Sequence, residues 1–106
     1  MYRMPYTLIC MRILAEGVGF EWDDGNRDKN LKKHSVTNAE CEEAFADDKK
    51  LVRSDVIHSQ TEARHYLIGK TNGGRILFMS FTIRKEFVRI ISARDINRKE
   101  RSYYGN

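Results

Sequence analysis

Cysteine is scarce in this chain, and long apolar runs are missing from it. Only Cys10 and Cys41 occur, too few for a disulfide framework or a zinc ribbon, so we expect a reducing compartment. The longest apolar runs fall far short of a bilayer span, and the opening residues lack the pattern of a cleaved signal peptide. These absences predict a cytoplasmic protein with no membrane partner.

The usual signatures of metal and cofactor chemistry are also missing. His34, His58 and His65 lack the spacing of metal ligands, and neither cysteine has a close cysteine partner. The run 71–74 is not followed by the Lys-Ser/Thr of a phosphate-binding loop, and no G-x-S-x-G nucleophile elbow occurs. We therefore expect a protein that works without a metal or another cofactor.

Positive charge, in contrast, is concentrated in one segment, Arg84 to Arg101. These eighteen residues contain seven Lys/Arg and three Asp/Glu, so they carry the whole formal net charge of +4. Clustered positive charge attracts phosphate backbones whatever their sequence. The 41% hydrophobic and 32% charged residues fit a small globular protein, so the charge asymmetry indicates a polyanionic partner rather than disorder.

Periodicity and turn residues predict an α+β fold, with an antiparallel sheet of four to five strands and helices on one face. Thr37 and Glu40 have the spacing of a capping box, and 71–74 and 84–86 are predicted to be tight turns. The predicted elements are a strand over 13–22, a helix from Asp23 to about His34, a helix after Thr37, strands over 51–57, 64–70, 75–83 and 87–93, and a helix over 95–104.

The length of 106 residues leaves room for one domain. We assign residues 1–19 to an N-terminal extension with the first strand and residues 20–106 to a single domain. Because Met11 begins a sensible strand, residues 1–10 are interpreted as non-native or disordered.

The remaining basic, histidine and tyrosine side chains suit the binding and cleavage of a phosphodiester. In-line attack by a ribose 2′-OH needs a base, an acid for the leaving oxygen, and cations for the developing charge. Arg64 and Arg89 fall on core-lining strand faces, where an arginine is costly unless it is paired or faces a site. They suggest an anion site on the sheet, and buried pairing with Glu21 or Glu62 is the alternative.

Several blocks of the sequence resemble the BrnT family. F-E-W-D at 20–23, Asn30 and K-H-S-V at 33–36 are similar to its F-E-W-D…N-x-x-K-H-G-V opening, with Ser35 where Gly is usual. The segment 64–69 is similar to its R-x-x-x-x-G pattern. R-I-I-S-A-R at 89–94 and the K-E-R at 99–101 resemble its closing block, so the likeness runs from about Phe20 to Tyr104.

This resemblance implies a RelE-like fold and a ribonuclease toxin of a bacterial type II toxin–antitoxin pair. Such a toxin would cleave mRNA without metal, through attack by the 2′-OH, and inhibit translation. Its partner would be a BrnA-like antitoxin with a DNA-binding domain, through which alone operator DNA is contacted. The alternative is a non-catalytic nucleic-acid-binding or protein-interaction domain that uses the same basic face.

The candidate site follows from both lines of reasoning. Arg64, Arg89 and Arg94 would hold the phosphate, and His34, with Lys33 beside it, is favoured for proton transfer. Plain structural roles compete with these, because a helix C-terminus favours a cationic His34, which we also expect to be partly buried beside Leu31. The further RNA-binding candidates are Arg84, Arg98, Lys99, Arg101 and Tyr104.

Overall fold

The computed structural model describes residues 19–55 and 62–104, which form five strands and three helices. In chain order these are β1 (Gly19–Phe20), α1 (Lys29–His34), α2 (Asn38–Phe45), β2 (Leu51–Asp55), β3 (Arg64–Lys70), β4 (Ile76–Arg84), β5 (Phe87–Asp95) and α3 (Arg98–Arg101). The predicted α+β class and element order are confirmed. Within this part of the chain, no helix has the length and apolar character needed to cross a membrane.

The strands form one sheet in the order β1-β5-β4-β3-β2. Strands β2 to β5 pair with one another in antiparallel fashion, as predicted, whereas β1 runs parallel to β5. A parallel pair needs a long connection, and here α1, α2 and the strands β2 to β4 lie between β1 and β5 in the chain. The prediction of an antiparallel sheet is therefore correct for four strands and wrong for β1.

The main core lies between one face of the sheet and the helices α1 and α2. The predicted capping box is confirmed, because the Glu40 amide donates to the Thr37 hydroxyl and the Thr37 amide donates to the Glu40 carboxylate. Gly69 lets α2 approach β3 closely, since a Cβ there would lie 2.3 Å from the Ala44 carbonyl oxygen. The buried core side chains are Val36, Cys41, Ala44, Phe45, Leu67, Leu77, Met79, Phe81, Val88, Ile90 and Ala93.

Both predicted tight turns are confirmed. The Gly74 amide donates to the Thr71 carbonyl over 3.0 Å, with Gly74 at a φ of 91°. Lys85 and Glu86 join β4 to β5 with φ values of 50° and 70°. Positive φ at both central residues is typical of the two-residue hairpin turn whose twist matches the strands.

Two helix boundaries differ from the prediction. Asp23 does not cap α1, because its carboxylate accepts from the Gly25 amide and its carbonyl from Arg27, which gives a turn before a helix that begins at Lys29. The helix predicted over 95–104 is a single turn, Arg98–Arg101. Of the strand predicted over 13–22, residues 13–18 lie outside the described residues, Gly19–Phe20 form β1, and residues 21–22 are not part of a strand.

The junction between α1 and α2 explains why the BrnT family usually has a glycine at the position of Ser35. This residue ends α1 in the left-handed conformation, with φ at 56° and ψ at 35°. Glycine adopts that conformation without a steric cost, which accounts for a glycine preference at such a position. The prediction that His34 is partly buried beside Leu31 is wrong, because His34 is exposed and Leu31 is 46% exposed.

Candidate nucleic-acid interface

The side chains that alternate away from the core form the second face of the sheet, called here the distal face. Cross-strand register places them in three rows. The first row contains Asp55 opposite Arg64 and Thr82 opposite Arg89, the second Arg53, Tyr66, Ser80 and Ser92, and the third Leu51, Ile68, Phe78 and Arg94. The three arginines predicted to hold phosphate therefore share one face.

Arg94 contacts both an aromatic ring and a carboxylate on this face. Its guanidinium lies over the Phe78 ring, 4.6 Å from the centroid. Both terminal nitrogens donate to the Glu100 carboxylate over 2.8 Å, and Nη1 also donates to the Asp95 carbonyl over 3.1 Å. The hydrogen bond from Arg94 is the main cause that lowers the pKa of Glu100. The Arg94 guanidinium thus lies on an aromatic ring and binds a planar anion through two parallel hydrogen bonds.

An aromatic pair extends this surface toward β3. The Tyr66 and Phe78 rings are stacked, with centroids 5.3 Å apart and an interplanar angle of 18°. The two residues lie on a diagonal of the β3–β4 register, since Tyr66 is opposite Ser80 and Phe78 opposite Ile68. Aromatic faces beside cations are the elements with which proteins bind single-stranded nucleic acid.

Arg64 and Arg89 lie at the other end of the distal face. Arg64 precedes Ile68 by four residues on β3, so the first and third rows are separated by about 13 Å along the strands. Arg89 donates to Glu21 over 2.8 Å and to Asp23 over 2.6 Å, and its side chain is only 17% exposed. The contact with Arg89 is the main cause that lowers the pKa of Asp23 to about 2. Pairing with Glu21, the alternative considered from the sequence, is therefore observed.

His34 and Lys33 end α1 on the helix side of the sheet, and both side chains are exposed. The carbonyls of His34 and Ser35 accept hydrogen bonds from Arg75 over 3.0 and 2.7 Å. Arg75 also donates twice to Asp95, over 2.6 and 3.0 Å, and contacts Glu40 over 3.3 Å. Arg75 therefore fastens the end of α1 to the end of β5.

Asp95 connects the two halves of the candidate site. Its pKa is lowered, first by the hydrogen bond from Arg75 and then by positive charge on Arg75 and His34. Arg94 directly precedes Asp95 and points to the opposite face of the strand. His34 and Arg94 therefore flank the last residues of β5 from the helix side and the distal side.

The remaining candidates have different surroundings. Arg84 makes two hydrogen bonds to Glu62, over 2.7 and 3.1 Å. The Tyr104 hydroxyl donates to Asp47, and burial together with that carboxylate raises the pKa of Tyr104 to about 12, so the ring is docked. Within residues 19–55 and 62–104, three α3 cations are exposed and form no ion pair, namely Arg98, Lys99 and Arg101.

Sequence reasoning missed several residues of this region. Alternation groups Tyr66 with Arg64, but that face was predicted to line the core, so Tyr66 received no functional role. Phe78 lies in a run that is apolar at both parities, which hides its face. Arg75 and Glu100 gave no sequence signal, because their partners Asp95 and Arg94 become neighbours only through the turns of the fold.

Among the residues that the structure describes, no three His, Cys, Asp or Glu side chains are grouped so that they could hold a metal ion. Residues 22–100, more than half of the chain, match the family model described as the ribonuclease toxin BrnT of a type II toxin–antitoxin system. No curated protein matches the chain significantly.

Proposed function

The chain belongs to the BrnT family of ribonuclease toxins of type II toxin–antitoxin systems, and from this premise we propose that it is an endoribonuclease that cleaves mRNA and inhibits translation. Attack by the ribose 2′-OH on the adjacent phosphate would give a 2′,3′-cyclic phosphate and a 5′-hydroxyl. This route needs proton transfer and stabilisation of negative charge, which side chains can supply without metal.

The proposal is supported by a guanidinium and an imidazole that lie on either side of the end of β5. Arg94 offers a two-pronged donor that fits the non-bridging oxygens of a phosphate. His34 lies beside Asp95 on the other side of the strand end, and imidazole is the side chain that most often transfers protons in catalysis. We assign Arg94 to the reacting phosphate and His34, with Lys33 beside it, to proton transfer.

Arg64 and Arg89 take different roles in this proposal. Their row is about 13 Å from that of Arg94 along the strands, and Arg89 is held by two carboxylates, so we do not assign them to the phosphate on Arg94. We assign Arg64 to a neighbouring phosphate of an RNA strand that crosses the distal face over Tyr66 and Phe78. Arg89 contributes through its pairs with two carboxylates, which hold the segment after β1 against β5.

The antitoxin is proposed to be BrnA-like, with a DNA-binding domain that alone contacts the operator. We expect it to cover the end of the sheet where α1 and α3 lie. Two observations support this. The α3 cations form no ion pair in the described part of the chain, and two large apolar side chains, Leu31 of α1 and Tyr103 after α3, are 46% and 59% exposed. Hydrogen exchange of the toxin with its operon partner tests it, and protection confined to a remote surface would contradict it.

Cleavage of end-labelled RNA by the purified protein in excess EDTA tests the activity. We expect a 2′,3′-cyclic phosphate and a 5′-hydroxyl, and no cut at positions where the RNA carries 2′-deoxyribose. Arg94→Gln should lower the rate by about 10²–10³, the usual loss for a transition-state donor. Loss of cleavage in EDTA with recovery in magnesium would contradict the proposed chemistry. Tight RNA binding without cleavage would favour the non-catalytic alternative.

A further inference from the structure

The anion that occupies Arg94 belongs to the chain itself. Glu100 of α3 places both carboxylate oxygens on the two terminal nitrogens of Arg94, each over 2.8 Å. The Glu100 side chain is 16% exposed and that of Arg94 is 36% exposed. This fork-to-fork geometry above the Phe78 ring is also the geometry in which a guanidinium binds a phosphate.

Helix capping does not account for the charge of Glu100. Its amide donates to the Asn97 side chain and its carboxylate accepts from the Asn97 amide, which forms a capping box. A glutamine caps equally well in this arrangement, so the box needs an oxygen but not a negative charge. The charge has one further partner, which is Arg94.

The other capping box of the chain provides a comparison. Glu40 of α2 also reaches an arginine, Arg75, but that guanidinium binds Asp95 and two main-chain carbonyls as well and so ties elements together. Arg94 contacts the carbonyl of its own neighbour Asp95, and otherwise the Phe78 ring and Glu100. The ion pair between Arg94 and Glu100 therefore fastens α3 to β5 and ties no other element.

The attachment of α3 is slight enough to be reversed. The helix is one turn long, Arg98–Arg101, and contains no buried residue. The pair is two-pronged and partly buried, so it is stronger than the ~0–1 kcal/mol of an exposed ion pair. A phosphodiester, however, offers Arg94 the same two-pronged contact, and an RNA strand adds contacts with other cations. Arg98, Lys99 and Arg101 are exposed cations of the same helix turn, so a polyanion that displaces the Glu100 carboxylate can also be attracted by them.

We propose that Glu100 is a built-in competitor of the substrate: its carboxylate occupies the phosphate-binding position on Arg94, and the phosphodiester of a single-stranded RNA displaces it. This inference rests on the proposed function for the identity of the substrate. The phosphate subsite consists of the Arg94 guanidinium and the Phe78 ring. RNA affinity is consequently set below the value that the cationic surface alone would give.

Binding of an uncleavable RNA measures this competition. Fluorescence anisotropy with a single-stranded RNA made entirely of 2′-O-methyl nucleotides gives Kd for the wild type and for Glu100→Gln, which keeps the capping box. We expect the substitution to tighten binding roughly three- to tenfold. Glu86→Gln is the matched control, because it removes one exposed charge from the turn at the other end of β5 and should tighten binding less than twofold.

A double variant and a second ligand complete the test. Adding Arg94→Gln to Glu100→Gln should abolish the gain in affinity. Inorganic pyrophosphate, titrated calorimetrically, should bind Glu100→Gln more tightly than the wild type by a similar factor. Equal effects of Glu100→Gln and Glu86→Gln on RNA and pyrophosphate would overturn the proposal even if the protein cleaves RNA. Without any RNA cleavage, the pyrophosphate difference would support the subsite and the proposed function would fail alone.

Discussion

Among the arginines whose ion pairs are described above, Arg75 should be the one whose loss destabilises the fold most. Arg75→Met keeps the apolar stem and removes a guanidinium that binds Asp95 twice, reaches Glu40 and caps α1 through two carbonyls. A net hydrogen bond contributes about 1 kcal/mol, and the exposure of Arg75 and Asp95, 26% and 62%, reduces the ionic part. We expect a loss of about 2–3 kcal/mol in the free energy of unfolding.

Arg84→Met is the matched control for this change. Arg84 makes a pair with Glu62 of similar length, but its side chain is 48% exposed and bridges no helix to the sheet. Its removal should cost about 0–1 kcal/mol. Urea unfolding followed by circular dichroism measures both, and Arg75→Met should lower Tm by roughly 10–20 °C. If the two variants lost the same free energy of unfolding within about 0.5 kcal/mol, the bridging role of Arg75 would be contradicted.

Acid provides a second check on Arg75. The pKa of Asp95 is lowered mainly by the hydrogen bond from Arg75, and that of Glu40 by the Thr37 amide and then by Arg75, below ordinary values of 3.8 and 4.5. A carboxyl whose pKa is lowered in the folded state stabilises it above the ordinary pKa and ceases to do so as pH falls through the folded value. The difference in free energy of unfolding between the wild type and Arg75→Met should therefore be largest at neutral pH and shrink below about pH 4.5.

Three further substitutions test the backbone. Gly69→Ala should cost about 2–3 kcal/mol, because the new Cβ would meet the Ala44 carbonyl at 2.3 Å, and a Tm equal to the wild type would contradict the close packing of α2 on β3. Ser35→Gly should raise the free energy of unfolding by about 0.5–1 kcal/mol by relieving a left-handed serine, as measured in urea. Lys85→Asn with Glu86→Gly should stabilise the hairpin by about 1 kcal/mol, and a decrease in Tm would contradict the turn assignment.

Local features could be predicted from the sequence because their causes lie within a few residues. The capping box of Thr37 and Glu40 and the turn at 85–86 depend on side chains adjacent in the chain, and both are confirmed. The turn formed by Asp23 was missed for a related reason, since an aspartate can cap a helix or bond its own turn and only the following residues decide between these. The parallel pairing of β1 depends on a strand 68 residues later, as Gly19↔Phe87 shows.

The candidate site was predicted in part for the same reason. Alternation predicts Arg64 and Arg89 on core-lining faces, which is wrong, because the main core lies on the opposite face of the sheet. Alternation also does not identify ionic partners, and the pairing of Arg89 with Asp23 depends on β1 joining β5. The separation of Arg64 from Arg94 along the strands was likewise beyond the sequence, because it follows from the register between β3, β4 and β5. The family resemblance supplied residue names without these distances.

We propose above that the reacting phosphate lies on Arg94 at the end of β5. Single-turnover cleavage of one RNA in EDTA by Arg94→Gln and by Arg98→Gln, with folding checked by circular dichroism, tests it most directly. Arg98 is an exposed cation of α3, four residues further on, so its loss should weaken binding and slow cleavage only a few-fold at saturating protein. Arg94→Gln alone should lower the cleavage rate by about 10²–10³. Full activity of Arg94→Gln beside an inactive Arg98→Gln would contradict it.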